Sequence, residues 1–174
     1  MQESWLTKAY TTPPPTFCLP PDKDIANDPE IRKSVIEFFN AHTEIATLEF
    51  SDHKVDISTI SHLASVLPKL SLTSVDFSEN TLTDETFISL SHALKNCPNL
   101  QLLNFNGNQI TSNGIKIFSE LFNNNQLLLK FSLVDNKITS EGIAYLSEAF
   151  QNNPLIELNV SLNPIDSSGA KTLS

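Results

Sequence analysis

Between Leu72 and Ile165 the chain repeats one pattern four times: LTSVDFSENTL (72–82), LQLLNFNGNQI (100–110), LLKFSLVDNKI (128–138) and LIELNVSLNPI (155–165). The asparagines in these blocks, Asn80, Asn108, Asn136 and Asn163, stand 28, 28 and 27 residues apart. A fifth copy, IATLEFSDHKV (45–55), fits the same template with His53 in the asparagine column. Similarity at a fixed period of this size marks a repeat architecture, in which each unit buries its apolar face against its neighbours.

Four columns are apolar in all five copies. They are Ile45, Leu72, Leu100, Leu128 and Leu155; Leu48, Val75, Leu103, Phe131 and Leu158; Phe50, Phe77, Phe105, Leu133 and Val160; and Val55, Leu82, Ile110, Ile138 and Ile165. The second and third columns lie two residues apart, as one face of a strand requires. A column of helix-capping residues follows, Asp56, Thr83, Thr111, Thr139 and Asp166, whose oxygens can accept from free amides. Apolar residues then recur at spacings of three and four, as in Ile115, Phe118, Leu121 and Phe122, which predicts a helix with one buried stripe.

Two polar features fit this scheme. The turn asparagine both donates and accepts, so a stack of them can satisfy backbone groups that leave the strand without a ladder. His53 can do part of that work in the first coil. Gly114, Gly142 and Gly169 share a position near the helix start, where a missing Cβ permits close approach. Thr59 and Thr86 stand there in the first two coils, so the approach is not obligatory.

Working outward, residues 1–27 read as an irregular arm holding five of the ten prolines. The run Pro13–Pro15 favours polyproline II, a form that SH3-type domains recognise. Trp5, Tyr10 and Phe17 are expected to lie against the first coil. Asp28-Pro29-Glu30 has the chemistry of a helix start. The segment 28–44, with Val35, Phe38 and Phe39 on one face, is expected to be the capping helix of an incomplete first coil. Strands are expected near 45–53, 72–80, 100–108, 128–136 and 155–163. The fifth coil reads as incomplete, which would leave Leu155, Leu158, Val160 and Leu173 near an exposed end.

The pattern LxxLxLxxNxL followed by a full helix resembles the leucine-rich repeat family, over about residues 28–174. Its 27–28-residue period is similar to the ribonuclease-inhibitor-like subfamily. The resemblance implies an α/β fold: a right-handed βα solenoid with a parallel sheet on the concave side and helices on the convex side. It also implies a non-enzymatic scaffold for protein–protein interaction. The serine-, threonine- and asparagine-rich loops resemble eukaryote-like effectors that intracellular bacteria inject into hosts. Regulation of a small GTPase is a further role found within the family.

The bulk numbers narrow the partner. Eleven Lys and Arg against twenty Asp and Glu give a formal charge of −9. Nucleic-acid binding needs clustered cations, and anionic membranes repel such a chain. A protein partner with a basic or mixed surface fits better. No Sec-type leader and no run of 18 apolar residues is visible. With only Cys18 and Cys97 there is no disulfide framework, and a reducing compartment follows: the cytoplasm of the producing cell, or of a host.

Strand positions that alternate with the buried ones should face the hollow. The expected partner-binding set is Glu49, Asp52, Asp76, Glu79, Leu102, Asn104, Asn106, Lys130, Ser132, Val134, Asp135, Glu157 and Asn159. The first coils supply an acidic patch for Arg or Lys, and the later ones a small apolar anchor. No nucleophile–base set, phosphate loop or ligand-spaced Cys/His group is visible, so no catalytic residue, cofactor or metal is expected. Four carboxylates spread over two coils would make a poor calcium cage. The alternative to a concave-face scaffold is a structural piece that associates end to end through its last coil.

Overall fold

The computed structural model describes residues 4–11, 15–123, 125–151 and 153–172. Pro13, Pro14 and Leu173 lie outside them. Each repeat folds as the template requires: a three-residue strand, a turn, then a helix antiparallel to the strand. The strands are β3 (Thr47–Glu49), β4 (Ser74–Asp76), β5 (Leu102–Asn104), β6 (Lys130–Ser132) and β7 (Glu157–Asn159). They alternate with the helices α3 (Ile57–Leu63), α4 (Asp84–Leu94), α5 (Ser112–Phe122), α6 (Ser140–Phe150) and α7 (Ser167–Thr172). A 3₁₀ turn, Leu67–Lys69, follows α3.

Neighbouring strands pair in parallel and in column register, with Leu48, Val75, Leu103, Phe131 and Leu158 side by side. Parallel strands stack at about 4.8 Å, whereas packed helices need about 8–10 Å. The helical side must fan out, and the sheet becomes the inner wall of an α/β solenoid.

The core lies between the two layers. Leu48, Val75, Leu103 and Phe131 are no more than 1 % exposed. A line of aromatic rings runs beside them: Phe17, Phe50, Phe77 and Phe105 follow each other with ring centroids 6.0, 5.4 and 6.3 Å apart. Burying each such ring contributes about 1.5–3 kcal/mol. At the far end Leu155, Leu158, Val160 and Ile165 are only half-buried, and Ile156 and Leu162 are exposed.

The asparagine column forms the expected ladder. Asn80 Oδ1 accepts from the backbone N–H of His53 and Val55 at 3.1 and 3.0 Å. Its Nδ2 donates to the carbonyls of Phe50 and Ser78 at 2.7 and 2.9 Å. Asn108 repeats this one coil later, accepting from Asn80 and Leu82 and donating to Phe77. Asn136 and Asn163 continue it to Ile110 and Ile138.

The capping column departs from expectation. Asp56, Thr111 and Asp166 accept from helix-start amides, but Thr83 and Thr139 make no capping bond. A second lateral ladder stands beside them instead. Asp84 accepts from the N–H and hydroxyl of Thr111 at 2.8 and 2.6 Å. Ser112 Oγ accepts from the N–H of Thr139 and of Gly142, both at 3.1 Å. Ser140 donates to Asp166 at 2.7 Å. The glycines make room for these side chains: a Cβ on Gly114, Gly142 or Gly169 would stand 2.6, 2.9 or 2.5 Å from Asp84 Oδ1, Ser112 Oγ or Ser140 Oγ. In the first two coils Thr59 and Thr86 stand at the glycine position, and both are buried.

The N-terminal region holds more structure than the irregular arm expected over 1–27. It contains α1 (Ser4–Ala9), β1 (Tyr10–Thr11) and β2 (Thr16–Cys18). β2 pairs in parallel with β3, placing Phe17 beside Leu48, and β1 closes the sheet edge antiparallel to β2. With α2 (Pro29–Ala41), β2 makes a whole coil, not half of one. Asp28 caps α2 by accepting from Glu30 and Ile31. Phe17, Leu19 and Ile25 are buried, and Trp5 and Tyr10 pack against the core.

Candidate functional site

Because β2 to β6 bury their middle residues and β7 half-buries Leu158, the first and third residues form two parallel rows on the inner wall. One row reads Thr16, Thr47, Ser74, Leu102, Lys130, Glu157 and the other Cys18, Glu49, Asp76, Asn104, Ser132, Asn159. Of the expected partner-binding residues, Glu49, Asp76, Leu102, Asn104, Lys130, Ser132, Glu157 and Asn159 lie in these rows. Asn106 and Val134 follow just beyond the strands.

Asp52, Glu79 and Asp135 are placed differently. They sit in the turn, at backbone φ of 59°, 56° and 54°, in one column with Gly107 (64°) and Leu162 (58°). Their side chains leave from a left-handed turn and not from the strand wall. Asp52 lines a recess with Asp22, Asp24, Asn27 and Lys54, away from the other sites. The Glu79 carboxylate lies over Gly107.

The wall is tied together by its own polar groups. Asp76 accepts from the Ser78 N–H and hydroxyl at 2.8 and 2.6 Å and from Asn104 Nδ2 at 2.7 Å. Asn106 Oδ1 accepts from the Ser132 hydroxyl and the Val134 N–H, both at 2.7 Å. Lys130 pairs with Glu157 at 2.9 Å, with both side chains more than half exposed. The acidic patch is therefore less free than its composition suggests. Asp76 is already engaged, whereas Glu49 stays exposed at the surface.

Six expected residues, Leu102, Asn104, Asn106, Lys130, Ser132 and Glu157, converge with Leu103 and Phe131 on one depression of about 270 Å³. Its floor is the paired backbone of β5 and β6, whose Leu103 and Phe131 side chains point into the core, and around it stand Leu102, the amides of Asn104 and Asn106, the Ser132 hydroxyl and the Lys130–Glu157 ion pair. Such a surface can seat a side chain and hydrogen-bond its backbone. It carries no nucleophile–base pair. Among the described residues no cluster of three His, Cys, Asp or Glu is placed to hold a metal ion, and no helix is long and apolar enough to cross a membrane.

Thr16 and Cys18 extend the wall beyond what the repeat revealed. Cys18 is exposed beside Glu49. Burial of the sulfur and then the Glu49 carboxylate push its thiol above the ordinary value. The signal was present in Phe17 and Leu19, two residues apart like every strand pair. Their offset of 31 residues from Leu48 and Phe50 breaks the 27–28 period and hides it.

A profile of the family described as Leucine Rich repeat matches residues 96–118, 124–147 and 151–174. No curated protein sequence matches the chain. Among solved structures, the chain is similar to the Leiomodin-1 Actin-Binding Site 2, with a TM-score of 0.70 at 15 % identity, over 84 % of this chain and 87 % of that one. It is similar to the tropomodulin C-terminal domain from Caenorhabditis elegans, with a TM-score of 0.64 at 14 % identity, over 82 % and 88 %. An internalin from Listeria monocytogenes gives 0.51 at 21 % identity, over 81 % of this chain and 35 % of that one. At these identities the likeness is one of fold.

Proposed function

We propose that this leucine-rich-repeat protein is a non-enzymatic scaffold that holds a protein partner on its concave sheet face, with the ribonuclease-inhibitor-like repeat as its frame. The observation that carries the reading is the convergence of Leu102, Asn104, Asn106, Lys130, Ser132 and Glu157 on one depression with Leu103 and Phe131 beneath it. Glu49 and the turn carboxylate of Glu79 add an acidic flank that attracts Arg or Lys of the partner. Val134 and Asp135, just past β6, and Asn159, in β7 beside Ser132, are the further residues this reading assigns to the partner. The partner surface is basic or mixed, and the complex forms in the cytoplasm of the producing cell or of a host that receives the protein.

Leiomodin-1 lends the reading support because a fold of this kind serves there as an actin-binding site. The test is capture from a cell lysate by wild type beside Leu102→Asp, Lys130→Glu and, just past the end of α4, Lys95→Glu. Loss of the same captured protein in the first two variants but not the third supports the concave face. Equal capture by all of them rejects it.

Association of two copies through β7 is a second reading, favoured by Ile156 and Leu162, each 75 % exposed beside that strand. A bare edge with apolar neighbours is a template for pairing. Light scattering that shows a concentration-independent monomer disposes of it.

A further inference from the structure

The outer, helical side carries a cleft that the concave-face reading does not use. It lies between α5 and α6, has a volume of about 410 Å³, and is lined by Lys116, Ser119, Glu120, Asn123, Tyr145, Glu148 and Ala149. Ser119 is only 6 % exposed, yet its Oγ is a buried side-chain oxygen with no hydrogen-bond partner. The same helix position is satisfied in the neighbouring coils. Ser91 turns its hydroxyl to the Phe87 carbonyl at 2.7 Å, and Ser147 reaches the Thr172 carbonyl at 3.3 Å. A buried hydroxyl without a partner is costly and calls for a group to meet it.

The charges around Ser119 indicate what that group is. Glu120 and Glu148 line the cleft and make no ion pair among the described residues. The Tyr145 hydroxyl donates to Glu141 at 2.8 Å. That bond, then burial and the charges of Glu141 and Glu120, push the phenol above its ordinary value. Among the described residues Lys116 is the one cation in the lining, and its Nζ lies 5.9 Å from the Tyr145 ring centroid. Carboxylates outnumber the ammonium, and an aromatic face already attracts a cation.

We infer that the α5–α6 cleft receives an arginine side chain from a protein partner, with Glu120 and Glu148 taking the guanidinium, Ser119 Oγ accepting one of its N–H groups and Tyr145 stacking on its plane. Arginine fits better than lysine because its five donors and flat face match several acceptors and a ring at once. Anions are disfavoured by the two carboxylates. The cleft is separate from the concave wall, so the two surfaces can engage one partner or two.

The probe is N-acetyl-arginine-methylamide, with the uncharged citrulline analogue beside it, titrated into the isotope-labelled full chain and followed by backbone amide shifts. Saturable shifts of Lys116, Ser119, Asn123, Tyr145 and Glu148 with the arginine probe and not with citrulline support the inference. Glu148→Gln should weaken binding about tenfold, the loss of one charge-assisted bond. Ser119→Ala should weaken it several-fold while leaving thermal stability equal or higher, because it removes an orphan hydroxyl. Asp76→Lys on the concave wall should leave this titration unchanged, which keeps failure here distinct from failure of the concave-face reading. Equal response to citrulline overturns the inference, as do shifts spread over every acidic surface and preferential binding of inorganic phosphate. So does a lower stability of Ser119→Ala, which would show the hydroxyl turned to the Ile115 carbonyl.

Discussion

His53 Nε2 stands 2.9 Å from the Leu19 carbonyl oxygen, the counterpart of the bond that Asn80 Nδ2 makes to the Phe50 carbonyl one coil later. An imidazole thus carries the turn ladder into the N-terminal coil, where the repeat is stretched to 31 residues. The ladder is continuous from Leu19 to Asn163, and its members should differ in cost according to their place in it.

Asn80→Ala removes four side-chain hydrogen bonds, three of them buried, at a residue 1 % exposed. Unmet buried amides and carbonyls should cost about 3 kcal/mol or more in total. His53→Ala should cost about 1–2 kcal/mol through the orphaned Leu19 carbonyl. Asn163→Ala, half-buried with water in reach, should cost about 1 kcal/mol. Urea unfolding midpoints in the order Asn163, His53, Asn80 would bear this out, and equal losses would contradict it.

The turn column tests backbone conformation. Gly107 has φ +64°, and a Cβ there would collide with the Glu79 carboxylate. Gly107→Ala should destabilise by about 1–2 kcal/mol. Thr81, a β-branched residue at φ 57°, is strained in the same left-handed region. Thr81→Asn should stabilise by about 0.5–1 kcal/mol, read as a higher melting temperature.

Helix glycines should rank by what they face. A Cβ on Gly142 meets Ile138 Cγ2 at 2.6 Å and the Ser112 backbone at 3.3 Å, whereas on Gly114 the nearest atom is the end of the Asp84 side chain at 2.6 Å. Backbone cannot give way as a carboxylate can. Gly142→Ala should therefore lose about 1–3 kcal/mol. In Gly114→Ala a helix-propensity gain of about 1 kcal/mol offsets most of the cost. Thermal melts of the two variants decide the order.

The cysteines should separate cleanly. Cys97 is 3 % exposed, and burial pushes its thiol up to about 12. Cys18 is exposed. A thiol reagent near neutral pH should modify Cys18 in the native protein and Cys97 only after unfolding. Because the folded state holds Cys97 protonated, its stabilising contribution is complete below the unfolded value near 9. It should be lost as pH rises towards 12. Cys97→Ala should flatten that alkaline decline.

At the acid end Asp166 is the group to watch. Hydrogen bonds from the Ser168 and Ser140 hydroxyls, and then from the Gly169 and Ser168 amides, hold its carboxyl well below the ordinary value. Its contribution is present above the unfolded value of 3.8 and should be lost as pH falls below it. Asp166→Asn should make α7 less sensitive to acid, measured by amide exchange across Ser167–Thr172.

Much of this was legible in the chain. The apolar columns place Leu48, Val75, Leu103 and Phe131 inside because strand alternation and helix periodicity leave each of them one place to go. The asparagine ladder was equally readable, since an amide at a fixed turn position has few other uses. The second ladder was not. Asp84, Ser112 and Ser140 look like ordinary helix-start residues, and only the lateral offset of successive coils brings each one to the next coil's cap. The inner wall was half readable: strand alternation gave its rows, but not that Asp76 spends its oxygens on Ser78 and Asn104, nor that Asp52 turns away.

The sequence by itself determined the period, the layer order and which side chains are buried, because these follow from spacing along one chain and need no knowledge of what lies beside it. Tertiary structure alone decided that Thr16–Cys18 completes the first coil, that Leu102, Lys130 and Glu157 meet at one depression, and that Ser119 faces a cleft unpartnered. Those are contacts between residues about 28 apart, set by how far each turn of the solenoid shifts against the last.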